Sequence, residues 1–395
     1  MSKIILLPQI GISILILFVL HHFFFGQIYI DNGFALGRNS TLQREINNNI
    51  SLNPTSKYAN SIQSSLLPLV LLEKIPLLNV NGRIDHMDID IKNHRLFVAE
   101  LENNSVDILD LHNNGKRLKT ITDGIVEPQG IAFVPKLDKL FVSNGGDGKV
   151  NIFNATTYRL IDSIDFHNDA DNIRYDNISK LIYVGYGQGN IGIINVTNDN
   201  LLKEIQLPAH PESFQIEINY ASLSNKLPLN GAYGRIFVNT PDDNSISIIN
   251  TTSDAVSKWH LLQDNIHGNF PMALDQANHR LFVGTRDPPK LVVFDTNSSY
   301  SGSGKIISKV NIDSDPDDIF YDSLNKIIYI SCGEGFIDVF KQQDANHYSL
   351  IGKIPTKAGA RTSLFVPELK RIYLAVPNFN ANNSSNASIL VYGYQ

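Results

Sequence analysis

Acidic or basic side chains recur in five of the seven repeats of this chain, each at the point where a short strand begins. Aligning those strands matches seven positions, which are Asp85, Gln129, Asp171, Glu212, Phe270, Asp317 and Arg361. Four of the seven are carboxylates, and carboxylates brought together raise one another's pKa unless a cation offsets their charge. If the fold gathers these positions, they predict binding of a counter-ion or a basic ligand group, or sharing of protons.

The neighbouring residues enlarge this set. The position that follows in each repeat contributes His86, Asn172 and Asp318, and His210 opens the same loop as Glu212. The candidate ligand-binding residues are therefore Asp85, His86, Gln129, Asp171, Asn172, His210, Glu212, Arg286, Asp317, Asp318 and Arg361. An aspartate at the start of a strand can also cap a turn or accept backbone N–H groups, so a purely structural role stays open.

A metal site is the more specific form of this binding hypothesis. Carboxylate oxygens with a histidine could hold a divalent cation, either Ca²⁺ or a transition metal, at Asp85, His86, Asp171, Glu212 and Asp317. The chain has no H-E-x-x-H motif and no cysteine pair, so the familiar zinc patterns are absent. It also has no G-x-S-x-G, and its single cysteine, Cys332, fits a buried small residue better than a reactive thiol. No catalytic residue is assigned.

A repeated sequence motif shows which elements must position these residues. It reads RLFVAE at Arg95 and returns, with conservative changes, near Lys139, Lys180, Arg235, Arg280, Lys326 and Arg371. Each repeat holds four strand-like runs, A to D, and repeats of roughly 40–50 residues made of short strands are typical of propellers. Strand A would lie nearest the axis, so the residues at its start would surround the mouth of a central channel.

The last repeat ends after its third strand, SILVYGY (388–394), because the chain stops at Gln395. The run LVLLEKIPLL (69–78) reads as a fourth strand with no A, B or C before it. Pairing the two would close a ring and protect its edges. We therefore predict an all-β, seven-bladed β-propeller of four-stranded antiparallel blades over residues 65–395, preceded by an apolar N-terminal helix.

The repeats resemble those of the YVTN-type, YncE-like family of seven-bladed propellers, which are WD40-like in architecture. The resemblance covers about residues 65–395 and includes two versions of the repeat opening, His210-Pro211-Glu212-Ser213 and Glu127-Pro128-Gln129-Gly130. It implies an exported or surface binding propeller and no particular catalytic residue.

The first part of the chain predicts a location. Residues 4–25 are almost entirely apolar and long enough to cross a hydrocarbon core of ~30 Å. We expect a membrane anchor or a cleaved signal peptide over residues 1–28 and a flexible polar linker over 29–64. Either reading places the propeller outside the cytoplasm, where the Asn-x-Ser/Thr sequons could carry glycans. The net charge of −6 and the lack of a basic run argue against nucleic acid as a partner.

Two functions remain. The first is a binding module, monomeric and extracytoplasmic, that presents the acidic mouth of its channel to a small ligand or a protein. The alternative is a metal-dependent hydrolase, similar to a lactonase, with its site at the same mouth. Three or more of the five candidate metal ligands converging on one point would favour the enzyme, whereas carboxylates bonded to backbone amides would favour a structural role.

Overall fold

The computed structural model describes residues 68–218, 234–298, 304–379 and 386–394, which belong to the compact unit Asn60–Gln395. They form seven four-stranded antiparallel sheets, so the predicted seven-bladed propeller is confirmed. The apolar segment 4–25, the linker 29–64 and the sequons at Asn39, Asn49, Asn382 and Asn383 lie outside the described residues. Within the described ranges, no helix is long and apolar enough to span a membrane.

The first three blades follow the chain in order, each running from its inner strand A to its outer strand D. Blade 1 contains β2 Met87–Asp90, β3 Arg95–Glu100, β4 Ser105–Asp110 and β5 Lys116–Ile121. Blade 2 contains β6 Pro128–Val134, β7 Lys139–Asn144, β8 Lys149–Asn154 and β9 Leu160–Asp165. Blade 3 contains β10 Ala170–Asp176, β11 Leu181–Tyr186, β12 Asn190–Asn195 and β13 Asn200–Gln206.

The next three blades repeat this order. Blade 4 contains β14 Phe214–Ile218, β15 Gly234–Thr240, β16 Ser245–Asn250 and β17 Val256–His260. Blade 5 contains β18 His267–Asp275, β19 Arg280–Asp287, β20 Pro289–Asp295 and β21 Lys305–Asn311. Blade 6 contains β22 Pro316–Asp322, β23 Ile327–Cys332, β24 Phe336–Asp344 and β25 His347–Pro355. Short 3₁₀ helices occupy loops at Leu101–Asn103, Leu111–Asn113, Pro241–Asp243, Leu262–Asp264 and Thr296–Ser298.

Blade 7 joins the two ends of the ring. Its strands, from the inside outwards, are β26 Ser363–Val366, β27 Arg371–Val376, β28 Ala387–Gly393 and β1 Val70–Leu77. Strand β1 runs antiparallel to β28, with Leu77 opposite Ala387 and Val70 opposite Gly393. Closure by a strand from the start of the propeller, predicted from the unpartnered run 69–78, is thereby confirmed.

The hydrophobic cores lie between neighbouring blades, which explains why the repeated sequence motif is apolar. Leu96, Phe97 and Val98 in β3 are fully buried. Phe97 packs against Phe133 of the next blade with ring centroids 5.4 Å apart. Each strand B is therefore apolar on both faces, because one face meets the preceding blade and the other meets the following blade.

Alternating strand directions give the disc two distinct faces. The D–A and B–C loops meet on one face, as in the hydrogen bond from Gly145 N to Glu127 O at 2.9 Å. We call it the mouth face, since strand A begins there. The A–B and C–D loops form the opposite side, which we call the A–B face. Each candidate residue at the start of a strand A therefore lies at the mouth face.

Candidate functional site

The seven inner strands surround a channel that holds two separate spaces. The space at the mouth face is narrow, about 40 Å³. It is lined by Arg83, Asp85, His86, Asp171, Asn172, Glu212, Ser213, Phe270, Asp317, Asp318 and Thr362. A second space of about 760 Å³ lies further along the channel, and His86, Ser213 and Asp318 line both. Five of the seven aligned positions line the narrow space, and Gln129 and Arg361 do not.

Asp85 forms the best-matched pair at the mouth. Its carboxylate lies 3.0 Å from His86 Nδ1 and 2.8 Å from Arg83 Nη2. Burial opposes ionisation of Asp85, but the bond to His86 and the charge of Arg83 hold its pKa below the usual value. Burial alone would lower the pKa of His86, whereas Asp85 raises it to about 9. The pair is an aspartate–imidazolium bridge at neutral pH.

Asp171 is compensated by a histidine from the next blade. His210 Nε2 lies 3.5 Å from Asp171 Oδ2, and His210 Nδ1 is bonded to Gly187 O at 2.6 Å. The bond to Asp171 raises the pKa of His210 to about 9, although burial opposes it. Gln129 does not face the narrow space, because its Nε2 donates to Asp169 Oδ1 at 2.7 Å.

Two arginines share the carboxylates of blade 6. Arg361 Nη1 lies 2.7 Å from Asp315 and its Nε 3.2 Å from Asp317. Arg286 Nη2 also pairs with Asp317, its Nε lies 3.2 Å from Asp315, and its guanidinium stacks 3.6 Å from the centroid of the Phe270 ring. Phe270, the apolar member of the ring, therefore supports an arginine.

These contacts show how most of the negative charge of the inner ring is offset. Asp85, Asp171 and Asp317 are paired with Arg83, His86, His210, Arg286 and Arg361, all of which belong to the protein. Asp85 is 3% exposed whereas Arg83 is 41% exposed, so the carboxylate lies beneath the guanidinium. The inner ring is a matched set of opposite charges, and sequence reasoning missed Arg83 because it precedes the aligned position by two residues.

Glu212 is the exception within the ring. In the part of the chain that the structure describes, no group is hydrogen-bonded to its carboxylate, and it borders the 40 Å³ space. Burial, together with the nearby charge of Asp171, raises the pKa of Glu212 to about 7. An unpartnered carboxyl at a narrow opening is a ready acceptor for a donor group that enters from outside.

Asp318 has the structural role left open for these aspartates, which is to accept a backbone N–H. Its Oδ2 accepts the backbone N–H of Ser363 in the next inner strand at 2.6 Å. Asp88, deeper in the channel, accepts the N–H of Phe133 in the same way, also at 2.6 Å. These two carboxylates tie neighbouring blades together across the channel wall. The side-chain amide of Asn172 contacts His86 Nε2 at 3.2 Å.

The geometry required for the metal-dependent enzyme is not met. Among the described residues, no three His, Cys, Asp or Glu side chains are arranged to hold a metal ion. Each of Asp85, Asp171 and Asp317 is turned toward an arginine or histidine instead. Cys332 is buried in β23, and burial raises the pKa of its thiol. It therefore has no reactive character.

Comparisons with known proteins identify the fold alone. No protein-family model matches the sequence, and no curated protein matches it. Among solved structures, a chain of Kuenenia stuttgartiensis hydrazine synthase is similar, with 16% identity, a TM-score of 0.61, and coverage of 79% of this chain and 97% of that one. The RRP9 WD40 repeats match with 8% identity, a TM-score of 0.66, and coverage of 83% and 100%. U3-55K matches with 8% identity, a TM-score of 0.64, and coverage of 82% and 98%.

Proposed function

We propose that this protein is an exported or surface-tethered propeller of the YVTN type that binds a protein partner through the mouth of its channel. The seven-bladed fold is a common protein-binding module. Support for the location comes from the apolar segment 4–25, which is long enough to anchor the chain or direct its export.

One observation carries the choice of site and partner. Glu212 is the ring carboxyl without a partner among the described residues, whereas the carboxylates around it are matched by the protein's own cations. The space in front of it is small, about 40 Å³. Only the tip of a side chain fits there, so we expect the partner to insert a lysine or arginine.

The surroundings of the mouth fit a protein better than a small molecule. A small ligand usually buries most of its surface in a pocket of ~300–1,000 Å³, far more than this opening provides. Exposed acidic groups surround the inner ring on the mouth face at Glu102, Glu127 and Glu334. A basic segment of a partner could therefore rest on these side chains while one cationic tip reaches Glu212.

A photo-crosslinking residue can test this proposal in cells. Lys357 is exposed in a D–A loop of the mouth face, and Leu324 is 84% exposed in an A–B turn of the opposite face. We expect a crosslinked partner from position 357 and none from position 324. The same partner should be lost in Glu212→Gln and kept in Glu368→Gln, an exposed glutamate of the A–B face. Crosslinks that Glu212→Gln leaves unchanged would refute the proposed site.

A further inference from the structure

The larger space of the channel is a second candidate site, distinct from the mouth. It measures about 760 Å³ and is bordered by residues of all seven inner strands. Residues of A–B turns, such as Ile91 and Pro135, line it, so it opens toward the A–B face. Much of its wall is apolar and includes Met87, Ile131, Ile173, Ile216, Met272 and Ile319. Its volume lies in the range of ~300–1,000 Å³ that small-molecule sites occupy.

Arg174, on strand β10, places a guanidinium in this space. Its Nη1 donates to Ile173 O at 3.0 Å, and the Phe214 ring lies 5.7 Å from its Cζ. The described part of the chain gives it no ion-pair partner, in contrast to the paired arginines of the mouth. Burial accordingly lowers the pKa of Arg174, although an arginine stays charged at any physiological pH.

The nearby carboxylates are directed elsewhere. Asp88 accepts the backbone N–H groups of Phe133 and Ile89, and Asp318 accepts that of Ser363. Burial raises the pKa of Asp318 to about 7, which weakens its negative charge near neutral pH, and raises that of Asp88 only to about 6, so Asp88 stays mostly ionised there. Asp171, the remaining acid that acts on Arg174, is paired with His210. The ring of His86, which is paired with Asp85, lies at the inner end of the space.

We propose that this space binds a small amphipathic anion whose oxyanion head, carboxylate or phosphate, is held by Arg174 while its apolar body lies along the channel wall. A guanidinium presents its N–H groups in a fork that matches two oxygens of such a head. The equivalent position of the neighbouring blade 2 is Ala132, whose small side chain leaves room beside Arg174. The site uses neither Glu212 nor the mouth opening, so it is independent of the proposed partner binding.

Isothermal titration calorimetry on the full-length chain tests this inference with four six-carbon probes. Hexanoate and hexyl phosphate carry the two candidate heads, and hexanol and hexylammonium are the neutral and cationic controls. Chains this short remain monomeric in water. We expect at least one anion to bind at least about tenfold more tightly than hexanol, since a hydrogen-bonded charge pair contributes ~1.5–3 kcal/mol. Hexanoate alone would identify a carboxylate ligand, and hexyl phosphate alone a phosphate ligand.

Variants test the residue. Arg174→Gln should weaken binding of the preferred anion at least about tenfold. Arg174→Lys should retain part of the affinity, because it keeps the charge but loses the fork. Arg159→Gln, an exposed arginine in a C–D turn, is the matched control and should bind normally. The melting temperature of each variant shows that it is folded.

Several results would overturn the inference. The first is that hexanol or hexylammonium binds as tightly as the anions, and the second is that no probe binds. The third is that a folded Arg174→Gln binds the preferred anion as tightly as the unmodified protein does. If Arg174→Gln does not fold, the ranking of the four probes on the unmodified protein still decides. A negative result here would leave the crosslinking test of Glu212 unaffected.

Discussion

At the scale of single residues, the mouth is governed by charge compensation. Carboxylates that share one ring position repel one another, and the sequence therefore predicted a counter-ion, a basic ligand group or shared protons. The structure supplies the compensation from within, through Arg83, Arg286 and Arg361 beside Asp85 and Asp317. Repeat alignment does not give side-chain directions, so it could not show which carboxylates the protein's own cations offset.

Asp85 provides the first prediction. Replacing it by Asn leaves Arg83 and His86 without their anion, and we expect a loss of about 2 kcal/mol in the free energy of unfolding. A fully buried pair would lose ~3–5 kcal/mol, but Arg83 is 41% exposed and water screens part of its charge. Urea unfolding at pH 7 measures the difference. Asp123→Asn, at an exposed loop position, should change it by less than about 0.5 kcal/mol. Equal losses in the two variants would contradict the assignment.

His86 provides the second prediction, which concerns pH. Its pKa is about 9 in the folded protein and ~6.5 when unfolded, so the folded state binds the proton more tightly. The resulting stabilisation is complete below pH 6.5 and is lost as pH rises through 9. We expect the unmodified protein to lose about 2 kcal/mol more than His86→Gln between pH 7 and 9.5. His260→Gln, exposed on β17, serves as the control. Identical pH profiles for the unmodified protein and His86→Gln would show that the bridge does not form.

At the scale of elements, the strands were predictable because their pattern has a direct physical cause. Strand B is buried on both faces, so every copy must be an apolar run, as Leu96, Phe97 and Val98 show. Strand D lies at the outer edge and shows a weaker pattern, as in β9, whose residues are largely exposed. The closing strand could still be recognised, because 69–78 had no partner in its own repeat.

The third prediction tests this closure. Removing residues 1–80 deletes β1, whose Ile75 and Leu77 are buried against the first and last blades. It also exposes the edge of β28, which β1 otherwise covers. We expect that protein to lose cooperative thermal unfolding, whereas removal of residues 1–60 should leave the melting temperature unchanged. Circular dichroism of both proteins decides, and similar melting curves would count against closure by β1.

The turns give a structural reason for several sequons. Asn154 Oδ1 accepts the N–H groups of Thr156 and Thr157, and Asn195 Oδ1 accepts that of Thr197. Aspartates take the same part in other blades, as Asp110 does with the N–H of His112. An Asn or Asp that accepts from the backbone two residues on is ordinary turn chemistry. The repetition of these sequons therefore reflects the C–D turn, and glycosylation stays a prediction.

At the scale of the whole molecule, the ring creates features that no single repeat contains. The 760 Å³ space depends on how far apart seven inner strands stand and on the side chains at each, including Ala132 and Ala273. The isolation of Glu212 likewise depends on where its neighbours in other blades point. Sequence reasoning could predict the number of blades, the closure and the ring positions. It could not predict Arg83 or Arg174, because neither belongs to the aligned positions from which the site was inferred.

The charged mouth is the proposed binding surface, and Glu212 is its proposed acceptor. The most direct measurement is the equilibrium affinity of the partner crosslinked at position 357 for the unmodified protein, Glu212→Gln and Glu368→Gln. Because Glu212→Gln loses a charge-assisted hydrogen bond, its affinity for the partner should be about tenfold or more lower. The affinity of Glu368→Gln should equal that of the unmodified protein. Equal affinities for all three proteins, with Glu212→Gln fully folded, would contradict binding at the mouth.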